Sequence, residues 1–194
     1  MANSIHGVSF NSPNLSVRSA QLSDLTELVE VLAASFYPRN GLTRLFLPVL
    51  RMGVYEDLRY RLRSASESSY VCLVATMTLS SGSPSLVGTV EITFRSTSPF
   101  QFRSLPYPYL SNLAVQLEAR RQGVAQKLLD RCEAIALDLG FQDLYLHVLE
   151  DNHQARQLYA KAGYQAKQAD SFWHCWFLRQ PQKLLLHKRL TRPF

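Results

Sequence analysis

The sequence predicts an α/β (α+β) domain built on one mixed sheet. Three observations carry this. Apolar residues recur at strand and helix spacing in the order β-α-α-β-β-β-α-β-α-β-β. Two β-rich runs, YVCLVATMTL and SLVGTVEITF, are separated by SSGSP, a hairpin signal. A strand at 109–116, a helix at 122–139 and a strand at 144–149 form a βαβ unit, which makes those two strands parallel.

In chain order, residues 1–14 read as a loose tail. LSVRSA (15–20) is a short strand. Ser23 is a suitable N-cap for a helix over 24–35, whose Leu25, Leu28, Val29, Leu32 and Phe36 share one face until YPRNG stops it. Residues 42–63 are helical, irregular around Pro48. After the hairpin, STSPFQFRSLPYP (96–108) is a polar, proline-rich loop, and PYLSNLAVQL (108–117) is a strand. The helix over 122–139 carries Val124, Leu128, Cys132, Ile135, Ala136 and Leu139 as its apolar stripe, with Gly140 at its C-terminal end. LYLHVL is the next strand. Asn152 then caps a short helix with Ala155, Leu158, Tyr159 and Ala162 on one face, ended by Gly163. A strand near 164–168, the irregular aromatic segment SFWHCWFL and a last strand KLLLHKRL (183–190) complete the chain. No repeat or long linker divides the 194 residues, so 15–194 reads as one domain.

Composition narrows the function. Cys72, Cys132 and Cys175 are too few for a disulfide framework and lack zinc-ligand spacing, which points to a reducing compartment. No apolar run reaches the length of a membrane helix, and MANSIHGVSFNSPNL has no secretory pattern, so the expectation is a bacterial-type cytoplasm without membrane insertion. The net charge of +6 admits an acidic ligand. The basic residues are scattered and no nucleic-acid motif is present, so nucleic acid is not expected as a partner. The aromatics Phe172, Trp173, His174, Trp176 and Phe177 read as acceptor-site wall or core rather than a base-stacking platform. His153, His174 and His187 lack a second ligand at metal spacing, so no metal is expected.

LEARRQGVAQKLL (117–129) places two arginines and a glycine where a helix begins. A helix start offers free N–H groups and a positive dipole end, and small residues let a ligand approach the backbone, so the turn suits an anion.

R-R-Q-G-V-A (120–125) resembles the R/Q-x-x-G-x-G/A signature of the GCN5-related N-acetyltransferases, and YLHVLEDNHQARQLYAKAGY (145–164) resembles the family's second motif. The resemblance spans about residues 15–190. It implies the GNAT fold: about seven strands, about four helices, and parallel strands splayed at the coenzyme site. It implies acetyl-coenzyme A as cosubstrate, with its pyrophosphate on the backbone of Arg121, Gln122, Gly123, Val124, Ala125 and Gln126. Arg120 and Arg121 add positive potential, and the backbone of Leu113, Ala114 and Val115 holds the pantetheine and the oxyanion. Tyr159 is then the general acid facing the sulfur. YLHV and the tyrosine opening the preceding strand resemble the branch acetylating protein N-termini, which makes Tyr109 and His147 holders of a proton-relay water. Glu91 is a competing base, and Asn152 is either a cap alone or a cap that also touches the coenzyme. The chain further resembles cyanobacterial and plastid members that acetylate lysines and N-termini. Expected partners are a protein or peptide amine, with the protein itself monomer or homodimer. A small-molecule acetyltransferase acting on a polyamine or aminoglycoside, and a non-catalytic coenzyme sensor, are the alternatives.

Lysine, with a pKa near 10.4, is neutral in about one molecule in two thousand at pH 7, and an α-amine far more often, so a base matters more for lysine.

Overall fold

The computed structural model describes residues 15–36, 43–64, 70–78, 84–95, 106–167 and 182–191. The tail 1–14, most of the 96–108 loop and the aromatic segment with Cys175 lie outside the described residues.

Seven strands form one sheet in the order β1-β2-β3-β4-β5-β7-β6. They are β1 (Leu15–Ser19), β2 (Tyr70–Thr78), β3 (Pro84–Arg95), β4 (Tyr107–Val115), β5 (Asp143–Leu149), β6 (Gln165–Ala166) and β7 (Lys183–Arg189). The helices are α1 (Leu25–Phe36), α2 (Thr43–Ser64), α3 (Val124–Asp138) and α4 (His153–Lys161). The β2–β3 hairpin is antiparallel, and β4–β5, bridged by α3, is the parallel pair. The mixed sheet with four helices agrees with the expected fold.

One face of the sheet meets α1 and α2 through Leu28, Leu32, Leu58, Tyr70, Cys72, Val74 and Ala114. The other meets α3 and α4 through Leu73, Met77, Val90, Leu110, Leu128, Cys132, Leu146 and Tyr159. Covering both faces explains why the central strands read as near-continuous apolar runs.

Several boundaries differ from expectation for local reasons. Ser23 does not cap α1. A 3-10 turn over Leu22–Asp24 precedes it, and Gln21 N–H donates to Asp24 Oδ2 at 2.7 Å. Arg18 grips the same carboxylate through both terminal nitrogens, holding its pKa below the usual range despite burial. α2 runs without a break over Thr43–Ser64, with Pro48 inside it as the sixth residue. Leu139 leaves the apolar stripe and is exposed, since α3 ends one residue earlier.

Candidate active site

The turn before α3 is left-handed and leaves the helix start open. Arg121 has φ 65° and Gly123 φ 81°, so the chain turns left-handed twice before the helix. Gly123, expected inside the helix, is instead its N-cap, and the first helical bond runs from Lys127 N–H to Gly123 O at 3.0 Å. The N–H groups of Val124, Ala125 and Gln126 precede that bond and have no intrahelical partner. A Cβ on Gly123 would meet nothing within 4 Å, so space lies open against the backbone. Arg120 Nε donates to Val115 O at 3.2 Å, and Gln122 Nε2 donates to Glu118 O at 2.9 Å. The first bond ties the turn to the end of β4, and the second to the 3-10 turn over Leu117–Ala119 that follows it.

Gly88, which reads from sequence as an ordinary strand glycine, sets how closely α3 lies on the sheet. A Cβ there would come within 3.0 Å of both Ala114 O and Val124 Cγ1. Only a residue without a side chain lets the start of α3 sit this low over β3 and β4.

The two parallel strands separate where the expected site lies. β4 and β5 pair only at Tyr109↔Tyr145 and Leu110↔Leu146. Beyond these, β4 continues to Val115 and β5 to Leu149 without pairing to each other. β4 also bulges. Thr89 pairs with Ala114 and Glu91 with Ser111, so two steps along β3 are matched by three along β4. Asn112 sits in the bulge at φ 54°. Leu113, Ala114 and Val115 therefore follow a bend and lack a β5 neighbour, as a strand edge receiving an amide chain must.

At the fork, Tyr109 and His147 meet. The Tyr109 hydroxyl lies 2.8 Å from His147 Nδ1. They are brought together because Tyr109 and Tyr145 pair in register, and His147, two residues on, points to the same face. Arg95 stacks on the Tyr109 ring, its Cζ 3.5 Å from the centroid. Burial first, then the charges of Arg95 and Lys183, hold the His147 pKa below the ordinary 6.5. The imidazole is therefore neutral at pH 7 and able to accept a proton.

Tyr159 approaches from α4. It is buried, packs edge-on against Tyr164 at 5.8 Å between centroids, and its hydroxyl has no hydrogen-bond partner among the described residues. Burial chiefly, then Tyr109 and Cys132, push its pKa up to about 12. It is a proton donor at every physiological pH. Asn152 Oδ1 accepts from Ala155 N–H at 3.1 Å, which is the expected cap of α4.

Glu91 makes a separate set of contacts. It is 1% exposed, its Oε2 lies 2.6 Å from Arg61 Nη1, and its Oε1 accepts from Asn112 Nδ2 at 3.0 Å. Burial raises its pKa, and Asn112 and Arg61 oppose that shift.

A cavity of about 590 Å³ opens on the Tyr109–His147 face, lined among others by Tyr107, Tyr145, Asp143 and Lys167. Asp143 is engaged by His187 at 2.7 Å and by Arg189 at 3.0 Å. Among the described residues no cluster could hold a metal ion, and no helix is long and apolar enough to cross a membrane. Arg61, Gly88, Arg95, Asn112 and Lys167 escape sequence reasoning. Only Asn112 carries a signal, as an asparagine inside an otherwise apolar strand.

Residues 26–164 match the model of the acetyltransferase (GNAT) family. The chain belongs to that family. Among relatives, GCN5-related N-acetyltransferase 10, chloroplastic, of Arabidopsis thaliana is 34% identical over 155 residues, covering 75% of this chain and 59% of that protein. Thialysine N-epsilon-acetyltransferase of Bos taurus is 34% identical over 109 residues, covering 55% of this chain and 62% of that protein. The chain thus spans less than two thirds of the length of these curated relatives. The fold matches the PaiA N-acetyltransferase of Thermoplasma acidophilum solved with coenzyme A, at a TM-score of 0.66 and 17% identity over 91% of this chain and 99% of that one.

Proposed function

We propose that this chain moves an acetyl group from acetyl-coenzyme A to a protein amine, a lysine side chain or an N-terminal α-amine. The observation that carries the reading is the Tyr109–His147 contact at the strand fork, with Tyr159 on α4 behind it. The features fit the coenzyme. Gly123 leaves its backbone open to a pyrophosphate, flanked by the N–H groups of Val124, Ala125 and Gln126 and the charges of Arg120 and Arg121. Leu113, Ala114 and Val115 supply strand backbone to the pantetheine and the oxyanion. Asn152 caps α4, and its contact with the coenzyme is part of the proposal.

When bound, the coenzyme supplies a thioester whose acetyl carbon is open to attack. The new bond joins the amine nitrogen to that carbon, the carbon–sulfur bond breaks, and the amine proton must leave. His147, neutral and polarised by Tyr109, takes that proton, directly or through a water. Tyr159, buried on α4, is the proposed hydrogen-bond donor to the departing sulfur. Its pKa of about 12 lies some 3.5 units above a thiol near 8.5, and full proton transfer at this gap would cost roughly 5 kcal/mol. Tyr159 therefore acts by a hydrogen bond that strengthens as charge builds on sulfur.

A protein acceptor fits the cavity better than a polyamine. Its lining holds one carboxylate, Asp143, already engaged by Arg189 and His187, while Lys167 also faces it. A polycation would find no free acid there among the described residues. The thialysine acetyltransferase relative favours the second reading, a small amine acceptor. The buried free thiols Cys72 and Cys132 fit a reducing compartment. The test is incubation with acetyl-coenzyme A and a panel of peptides and polyamines, with the acetylated nitrogen mapped by mass spectrometry. Modified peptides support the reading, and modification of polyamines alone overturns it.

A further inference from the structure

We infer that Glu91 is a positioning residue which, clamped by Arg61, holds Asn112 in the bulge that shapes the coenzyme edge of β4. The inference rests on the acetyl-coenzyme A reading above. It starts from an anomaly. A carboxylate that is 1% exposed in the middle of a β-sheet is costly unless it is paired and hydrogen-bonded. Glu91 meets both conditions with residues from two other elements. Arg61 comes from α2, where Asp57 one turn earlier also grips it. Asn112 comes from β4.

The Asn112 side satisfies a specific need. Asparagine tolerates φ 54° better than most residues, yet that conformation is still uncommon and requires an anchor. Glu91 Oε1 supplies the anchor at 3.0 Å. The extra residue inserted there has a large consequence. Without it, pairing from Ser111 onward would slip by one, and each of Leu113, Ala114 and Val115 would turn to the opposite face. The bulge thus decides which way the backbone proposed for pantetheine is presented. Since Arg61 belongs to α2, the same chain of contacts ties the placement of that helix to the coenzyme edge.

This arrangement also separates Glu91 from proton transfer. Both carboxylate oxygens are already engaged, and the side chain is closed to solvent. Tyr109 and His147 lie further toward the start of β4 and on β5, hydrogen-bonded to each other.

The experiment compares the wild-type protein with Glu91→Gln, Asn112→Gly and Asn112→Ala. Acetyl-coenzyme A affinity is read by calorimetry, turnover at saturating coenzyme against pH, and folding by circular dichroism. Asn112→Gly keeps the left-handed backbone accessible but removes the anchor, so it serves as the variant safest for folding. The expected result is a Kd raised about tenfold in Asn112→Gly, the factor one charge-assisted hydrogen bond is worth. Asn112→Ala is expected to bind still more weakly, because it adds backbone strain. Glu91→Gln, which keeps an acceptor oxygen, is expected to lose less and to retain the wild-type pH profile. Wild-type affinity in a folded Asn112→Gly would overturn the inference. So would a Glu91→Gln variant with normal affinity whose turnover is lost at neutral pH and regained at alkaline pH, since Glu91 would then be the base. If the wild-type protein bound no coenzyme, the functional reading itself would fall, and this inference with it.

Discussion

Gly123 separates coenzyme binding from folding more cleanly than any other position. At φ 81° it occupies a conformation that L side chains rarely adopt, but a Cβ there meets nothing within 4 Å. The folding cost of a substitution is therefore backbone strain alone, about 1–2 kcal/mol. At about 2–4 °C per kcal/mol for a domain of this size, melting falls by roughly 2–8 °C and the protein stays folded at room temperature. Gly123→Ala and Gly123→Glu share that cost. They differ in what they bring to the helix start. A carboxylate about 4 Å from a phosphate charge is repelled by about 4 kcal/mol at an effective dielectric of 20, and by about half that after screening at this exposed turn. The glutamate variant should thus bind acetyl-coenzyme A roughly 30-fold to 10³-fold more weakly than the alanine variant. Calorimetry on both variants, with melting curves as the folding control, measures the difference. Equal affinities in two folded variants would refute a pyrophosphate at this turn.

Three further outcomes follow from the geometry. Tyr159→Phe keeps the buried ring and removes the hydroxyl, so turnover should fall roughly 10²-fold or more while coenzyme affinity holds, with α-amine and lysine peptides affected alike because both expel the same thiolate. Unchanged single-turnover rates would return Tyr159 to a packing role. Gly88→Val forces a side chain against Ala114 O and Val124 Cγ1 and should destabilise by about 1–3 kcal/mol, read as a lower urea midpoint. Asn152→Ala removes the acceptor for Ala155 N–H and should cost about 1 kcal/mol by the same assay.

Much of this architecture is legible in the sequence, for identifiable reasons. β2, β3, β4, β5 and β7 are β-rich runs, and α3 and α4 carry apolar faces ended by Gly140 and Gly163. The Tyr109–His147 pair comes from the family resemblance, and the parallel register Tyr109↔Tyr145 that brings the two side chains together is not readable from the sequence. The bulge is hidden, because an extra residue in a strand leaves no periodic trace over so few positions. Arg61 and Glu91 meet across 30 residues of chain, and nothing local announces a pairing at that distance. Gly88 matters for what approaches it, α3 and Ala114 O, which no property of the residues beside it reveals.

Proton removal by the Tyr109–His147 pair is the central claim, and the pH dependence of one rate ratio tests it. The ratio of wild-type to His147→Ala turnover on an α-amine peptide reads how far the reaction depends on a base at each pH. With the His147 pKa held below 6.5 by burial, Arg95 and Lys183, the base is neutral at and above pH 7. The account predicts a ratio of roughly 10² or more at pH 7. It predicts that the ratio shrinks toward alkaline pH, where the amine no longer needs a base, and also on the acid side, where His147 becomes protonated. A ratio that stays constant from acid to alkaline pH would contradict it, leaving His147 as a structural residue of β5.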